Sequence, residues 1–259
     1  MRIQQSFCYP VFQPTGMSLH ELLGAARRIG YRAFELWDRG PDFDELVELS
    51  RRHELTIASM SGHGNLERGT NDEREHTRIL QELTESLQIA AATGVRSLIC
   101  LSGNRIAGQG PEEAAQASAR VLSRIAPLAE RLGVNLNLEV LNSKIDHPGY
   151  ECDSVAATRR VLELVKSPRV RMLFDIYHVQ IMQGDVIRTI RENIDWIGHF
   201  HTAGNPERRD LDEAQELCYP AICRAIAASS YAGFVGHEFK PRVLGLEALL
   251  ANFKVCDQA

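Results

Sequence analysis

No stretch of this sequence reaches the roughly 18 uninterrupted apolar residues of a membrane-spanning helix, so no span is expected. The N-terminus, MRIQQSFCYPVFQ, has neither a basic leader nor a long apolar core, and it does not read as a secretory signal peptide. Basic excess is missing as well: 29 Lys and Arg against 34 Asp and Glu leave a net charge of −5. A protein held to nucleic acid by bulk charge needs a basic surface, so no nucleic-acid partner is expected. The six cysteines (Cys8, Cys100, Cys152, Cys218, Cys223 and Cys256) are scattered and form no CxxC. They read as reduced thiols of a cytoplasmic protein, not as a disulfide framework or a zinc site.

Present instead is a composition of the ordinary globular kind, 44% hydrophobic and 24% charged, over 259 residues. Element types alternate along its whole length. A helical pattern over residues 18–29 begins with Ser18 and Glu21 in capping-box spacing and stops at Gly30. An apolar run, 31–37, follows. The same grammar repeats as helix 43–53 and run 55–60, then helix 72–93, Gly94 and run 95–101. Helix 111–132, Gly133 and run 134–140 come next, followed by helix 154–165 and run 170–174. Helix 185–193 precedes run 196–200, helix 220–229 precedes run 234–239, and a last helix covers 246–253. With residues 3–7 this makes eight apolar runs separated by helices, the pattern of parallel strands buried on both faces.

Eight such units in this length predict an α/β fold, a single (β/α)8 TIM barrel occupying residues 1–259 as one domain. A doubly wound sheet would carry a glycine-rich phosphate loop after its first strand, but the chain reads Cys8-Tyr9-Pro10-Val11-Phe12 there. In a barrel the chemistry lies at the C-terminal strand ends. The second strand brings Glu35 and Trp37 there, the third Ser61 and His63, and the fourth Ser102-Gly103-Asn104. The last four, in NLNLE, RMLFD, GHFH and FVGHE, end on Glu139, Asp175, His201 and Glu238. One acidic strand end is commonly a loop start or a helix cap. Four at one register are another matter, because crowded carboxylates raise one another's pKa unless a cation sits among them. Three carboxylates and an imidazole, of formal charge −3, make an O/N donor set suited to Mn²⁺, Mg²⁺, Co²⁺ or Zn²⁺.

Other candidates stand nearby. His178 follows Asp175 by three positions, to bind substrate oxygens or to cap a helix. His199 shares strand parity with His201 and is expected inside the barrel, in a supporting or purely structural role. In the loop 202–212, Arg208 and Arg209 are candidate clamps for a carboxylate, with two solvated arginines as the alternative.

The phrases LEVLNSKIDHPGY, LFDIYHVQIMQGD, GHFHTAGNPERRDLD, QELCYPAICRAI and GHEFKP resemble the hydroxypyruvate isomerases of the xylose-isomerase-like TIM-barrel superfamily. The resemblance covers 138–241 closely, and CLSGNR after the fourth strand is similar to the equivalent loop. It implies an aldose–ketose type isomerase of carbohydrate metabolism with one divalent metal bound by Glu139, Asp175, His201 and Glu238. It also implies Glu139 and Glu238 as the proton-transfer residues and His178 and Arg208 as substrate contacts. The chain departs at His201, where some isomerases carry Gln; both side chains ligate. Related barrels often pair, so a homodimer is one assembly to expect.

Interconversion of hydroxypyruvate and tartronate semialdehyde moves a proton between neighbouring carbons through an enediolate, chemistry that a divalent ion and two carboxylates can perform. A three-carbon acid also needs a cation for its own carboxylate: Arg208 first, Lys240 second. Three rivals remain at this level. A ketose 3-epimerase or related sugar isomerase would use the same metal and glutamates, an abasic-site endonuclease would need several zinc ions and a basic groove, and a binding barrel would do no chemistry.

Overall fold

The computed structural model of the protein describes residues 3–257. All eight expected strands are present: β1 (Gln4–Phe7), β2 (Ala33–Glu35), β3 (Thr56–Ser61), β4 (Ser97–Cys100), β5 (Asn135–Glu139), β6 (Val170–Asp175), β7 (Ile197–Thr202) and β8 (Phe234–His237). Between them lie α2 (Leu19–Ile29), α3 (Phe43–Arg52), α4 (His76–Thr93), α5 (Pro111–Leu132), α6 (Val155–Val165), α8 (Val186–Asn193) and α9 (Tyr219–Ala227). α10 (Leu246–Cys256) follows the last strand. Two short helices were not expected, α1 (Tyr9–Phe12) and α7 (Ile176–Met182).

Local chemistry explains most boundaries. Ser18 Oγ accepts from the Glu21 N–H, and the Glu21 carboxylate accepts from the Ser18 N–H at 3.0 Å, so the capping box is real. α4 stops where Gly94 adopts φ 87°, a left-handed conformation that costs a residue without Cβ nothing. α7 escapes sequence reading because no turn residue precedes it: Asp175 both ends β6 and caps the helix, its Oδ1 accepting from His178 N–H at 3.0 Å. β2 is shorter than the apolar run around it. Its register against β3 shifts between Phe34 and Glu35, beyond which Leu36 N–H still donates to the Ser59 carbonyl at 3.0 Å.

The strands make one sheet in the order β1-β8-β7-β6-β5-β4-β3-β2. The strand pairs β1–β8, β2–β3, β4–β5, β5–β6 and β7–β8 are parallel, and a parallel bridge between Cys8 and Glu35 joins the two ends of that order. The fold is therefore the expected eight-stranded α/β barrel.

Two compact units can be followed separately. One holds the chain up to Met60, Asp185–Asp195 and the chain from His199 on. Its core is aromatic: Phe7 meets Tyr31 edge-on at 5.2 Å, Phe12 meets Phe239 at 6.0 Å, and Tyr31 meets Phe253 at 5.1 Å. The buried Tyr31 hydroxyl donates to the Leu249 carbonyl, which ties α10 down. The other unit holds Ser61–Gly184 and Trp196–Gly198, with an aliphatic core that includes Leu98, Leu136, Leu138 and Met172. All six cysteines are free thiols, and only Cys218 is exposed. No helix among the described residues is long and apolar enough to cross a membrane.

Because the α2 cap satisfies two backbone donors at an exposed helix start, Ser18→Ala should destabilise the protein by about 1 kcal/mol. A urea midpoint lowered at constant m would show it, and an unchanged midpoint would mean the box contributes nothing.

Candidate metal centre

The strand-end residues sit where the sequence suggests. Glu139 closes β5, Asp175 closes β6, His201 lies in β7, and Glu238 follows β8 directly. Glu139 and Asp175 end neighbouring strands in one compact unit, and His201 and Glu238 lie at the ends of neighbouring strands in the other. The first three are buried and Glu238 nearly so. Three carboxylates and an imidazole are, by residue type, a donor set that fits a divalent cation.

In the first unit, both ring nitrogens of His201 face carboxylates, and the hydrogen bond is made by Nε2. Nε2 lies 2.9 Å from Glu35 Oε2, and Nδ1 lies 3.2 Å from Glu238 Oε2. His199, two residues earlier, places its Nε2 3.0 Å from Glu35 Oε1. The Ser6 hydroxyl also donates to that oxygen. Burial pushes the Glu35 carboxyl up, but the His199 and His201 imidazoles outweigh it and hold the group well below the usual carboxylate range.

Glu238 has donors on both oxygens as well. The Trp37 indole N–H donates to Oε1 at 2.8 Å, and the Arg208 guanidinium donates to Oε2. Burial again acts upward, and Arg208 and His201 again prevail, so the carboxyl is held well below its ordinary range. Arg208 is delivered by a loop whose Gly204 and Arg209 pair as a small antiparallel bridge. Glu207 and Arg208 both adopt left-handed backbone, φ 74° and 58°, a strained arrangement for residues with side chains. Lys240 N–H fastens the loop by donating to the Arg208 carbonyl.

The two arginines thereby separate. Arg208 is largely buried on Glu238, whereas Arg209 is exposed beside Glu207 at 3.6 Å. The Lys240 side chain is exposed.

In the second unit, Asp175 commits Oδ1 to capping α7, which holds its other oxygen in place. His178, one of the residues so capped, is fully buried, with Nε2 3.7 Å from Asp175 Oδ2. Its Nδ1 accepts from the Asn142 backbone N–H at 3.2 Å. A backbone N–H can only donate, so Nδ1 accepts, and the proton of the neutral ring belongs on Nε2. Asn142 is itself fixed, its Oδ1 accepting from the N–H groups of Ile145 and Asp146 at 2.9 Å each. His178 is thus presented as a hydrogen-bond donor. Tyr150 locks the neighbouring strand ends: its buried hydroxyl accepts from Ser102 N–H at 2.9 Å and donates to the Glu139 carbonyl at 3.3 Å.

His63 belongs to the scaffold. Nε2 accepts from Leu101 N–H, Nδ1 donates to the Gly64 carbonyl, and burial lowers its pKa. Sequence reasoning placed Glu35 and Trp37 at a strand end without a role. For Glu35 the contact that matters is with a histidine 166 positions away, which no local pattern encodes. Asn142 and Tyr150 carried no signal.

A family model described as xylose isomerase-like TIM barrel matches residues 23–256. A putative hydroxypyruvate isomerase of Danio rerio is 27% identical over 234 residues, 84% of this chain and 83% of that protein. A 2-oxo-tetronate isomerase of Cupriavidus necator is 33% identical over 142 residues, 53% of this chain and 54% of that protein. A solved structure, an AP endonuclease of family 2 from Brucella melitensis, superposes with a TM-score of 0.81 at 23% identity, covering 96% of this chain and 97% of its own. At that identity the likeness establishes the fold alone.

Tyr150→Phe leaves the buried Ser102 N–H without its acceptor, so it should cost about 1–3 kcal/mol of stability. Chemical denaturation would measure the loss, and wild-type stability would show that Tyr150 does not lock these strand ends.

Proposed function

The chain belongs to the xylose isomerase-like TIM-barrel family, and we propose that it is a metal-dependent isomerase interconverting hydroxypyruvate and tartronate semialdehyde, working as one barrel domain. One observation carries the reading: Glu139, Asp175, His201 and Glu238 stand at the C-terminal ends of four consecutive strands of the barrel. The two isomerase relatives support it, since each is named for a small acid carrying a carbonyl.

These four residues would hold the divalent ion, Mn²⁺, Mg²⁺, Co²⁺ or Zn²⁺. Bound there, it supplies stabilisation of the negative charge that develops on the substrate oxygens. The protein's own groups handle the protons. One proton leaves C3 of hydroxypyruvate, an enediolate spans C2 and C3, and a proton is delivered to C2 while the hydroxyl proton passes from O3 to O2.

Glu238 starts as a carboxylate because Trp37 and Arg208 donate to its oxygens, the form in which it can accept the C3 proton. Glu139 serves the neighbouring carbon. His178, with its proton on Nε2, donates to a substrate oxygen. Arg208 supplies the cation for the substrate carboxylate and is better placed than Lys240, whose side chain is exposed.

Purified protein stripped with chelator should lose turnover of hydroxypyruvate and regain it when a divalent ion is restored. Glu238→Gln should lower kcat by about 10²–10⁴-fold and abolish exchange of the C3 hydrogens with D2O, with metal still bound. Glu139→Gln should abolish isomerisation. Arg208→Ala should raise KM for the acid. Metal-loaded protein that ignores hydroxypyruvate but epimerises ketoses would overturn the substrate assignment, and full activity in either glutamate variant would overturn the proton-transfer roles.

A further inference from the structure

His201 meets Glu238 of the candidate ligand set and also Glu35, which lies outside it. Glu35 is buried at 1% exposure. It takes hydrogen bonds from the Ser6 hydroxyl and His201 Nε2, and His199 Nε2 lies 3.0 Å from its Oε1. We infer that Glu35 is the positioning residue of the metal centre: by accepting the Nε2 proton of His201 it fixes the ring's tautomer and orientation, leaving the Nδ1 lone pair beside Glu238 for the ion. The inference rests on the metal site proposed above.

Several features of the barrel serve this one carboxylate. Gly236 pairs in register with Ser6 on one side and with His201 on the other. A Cβ at Gly236 would stand 2.0 Å from Glu35 Oε1 and 3.1 Å from His201 Cδ2, so β8 omits a side chain where the carboxylate enters. The register shift between Phe34 and Glu35 falls at the residue that must reach that space. Ser6 then donates to Oε1, with His199 Nε2 3.0 Å from the same oxygen, while Oε2 pairs with His201. An imidazole whose Nε2 is committed to a carboxylate offers metal only its Nδ1, the nitrogen 3.2 Å from Glu238 Oε2.

A second ion is the competing use of these atoms, because Cys8, Glu35 and His201 also offer ligand atoms within 4.8 Å of one another. An ion there would have to displace the protons that His201 and Ser6 place against Glu35. It would also need a thiolate at the buried Cys8. The hydrogen-bonded arrangement already satisfies the carboxylate without one, so the geometry points to support of a single centre.

The decisive experiment titrates apo-protein with Mn²⁺ by calorimetry, wild type against Glu35→Gln, with far-UV circular dichroism to confirm folding. Glu35→Gln should bind about 10- to 100-fold more weakly at unchanged stoichiometry. Wild-type protein that binds no Mn²⁺ would remove the metal site itself. Wild-type binding with an unchanged Kd in Glu35→Gln would overturn the role of Glu35 alone.

Should Glu35→Gln fail to fold, ¹⁵N-histidine spectra of the Mg²⁺-loaded wild type, with His201 assigned by its loss in His201→Gln, test the same point. A proton on Nε2 supports the inference, and a proton on Nδ1 overturns it.

Discussion

A carboxylate taken out of water persists as an anion only where protons or positive charge are brought to it, and this requirement organises the chemistry-bearing end of the fold. Glu35 is buried at the end of β2 and is met by a hydroxyl and two imidazoles. Glu238 is met by an indole N–H, a guanidinium and the other face of one of those imidazoles. In both, the donors more than offset the penalty of burial, and the carboxyls lie well below their ordinary range. Remove the donors and either group would take up a proton, and a neutral carboxyl is a poor metal ligand. Gly236, the Glu207–Arg208 backbone and the bulge in β2 follow from that demand: each makes room for, or delivers, a partner to a buried anion.

The scaffold meets the same demand for orientation by other means. Asp175 spends one oxygen as a helix cap, so a seven-residue helix is anchored to the residue that ends β6, and His178 is carried in that helix. Asn142 then sets the tautomer of His178 through a backbone N–H, a donor that cannot change its role. Tyr150 bridges the ends of β4 and β5 with a single hydroxyl. These bonds lie inside the protein, where each is strong and where losing one partner strands the other. Precision at the strand ends therefore comes from short-range hydrogen bonding laid over a sheet that packing alone already fixes.

Much of this was legible in the sequence. Eight apolar runs alternating with amphipathic stretches specify eight parallel strands, because only strands buried on both faces need apolar residues in unbroken sequence. Capping residues and glycines marked most helix ends, as Ser18 and Gly94 show. Glu139, Asp175, His201 and Glu238 could be chosen because the barrel places chemistry at strand ends and because three carboxylates and an imidazole at one register form a metal-type donor set. α7 was missed because its cap doubles as a strand residue. β2 was read too long because a bulge leaves no mark in hydrophobicity.

What the sequence by itself determined is the barrel and which residues stand at the ends of its last four strands, since both follow from periodicity and from residue types at element ends, which are local properties of the chain. What only the tertiary structure decided is the environment of those residues. Arg208 rather than Arg209 meets Glu238, Glu35 meets His201, Trp37 holds Glu238, and Asn142 orients His178. Those pairings join residues 30 to 201 positions apart. Their strength depends on burial and direction, and neither exists until the strands are side by side.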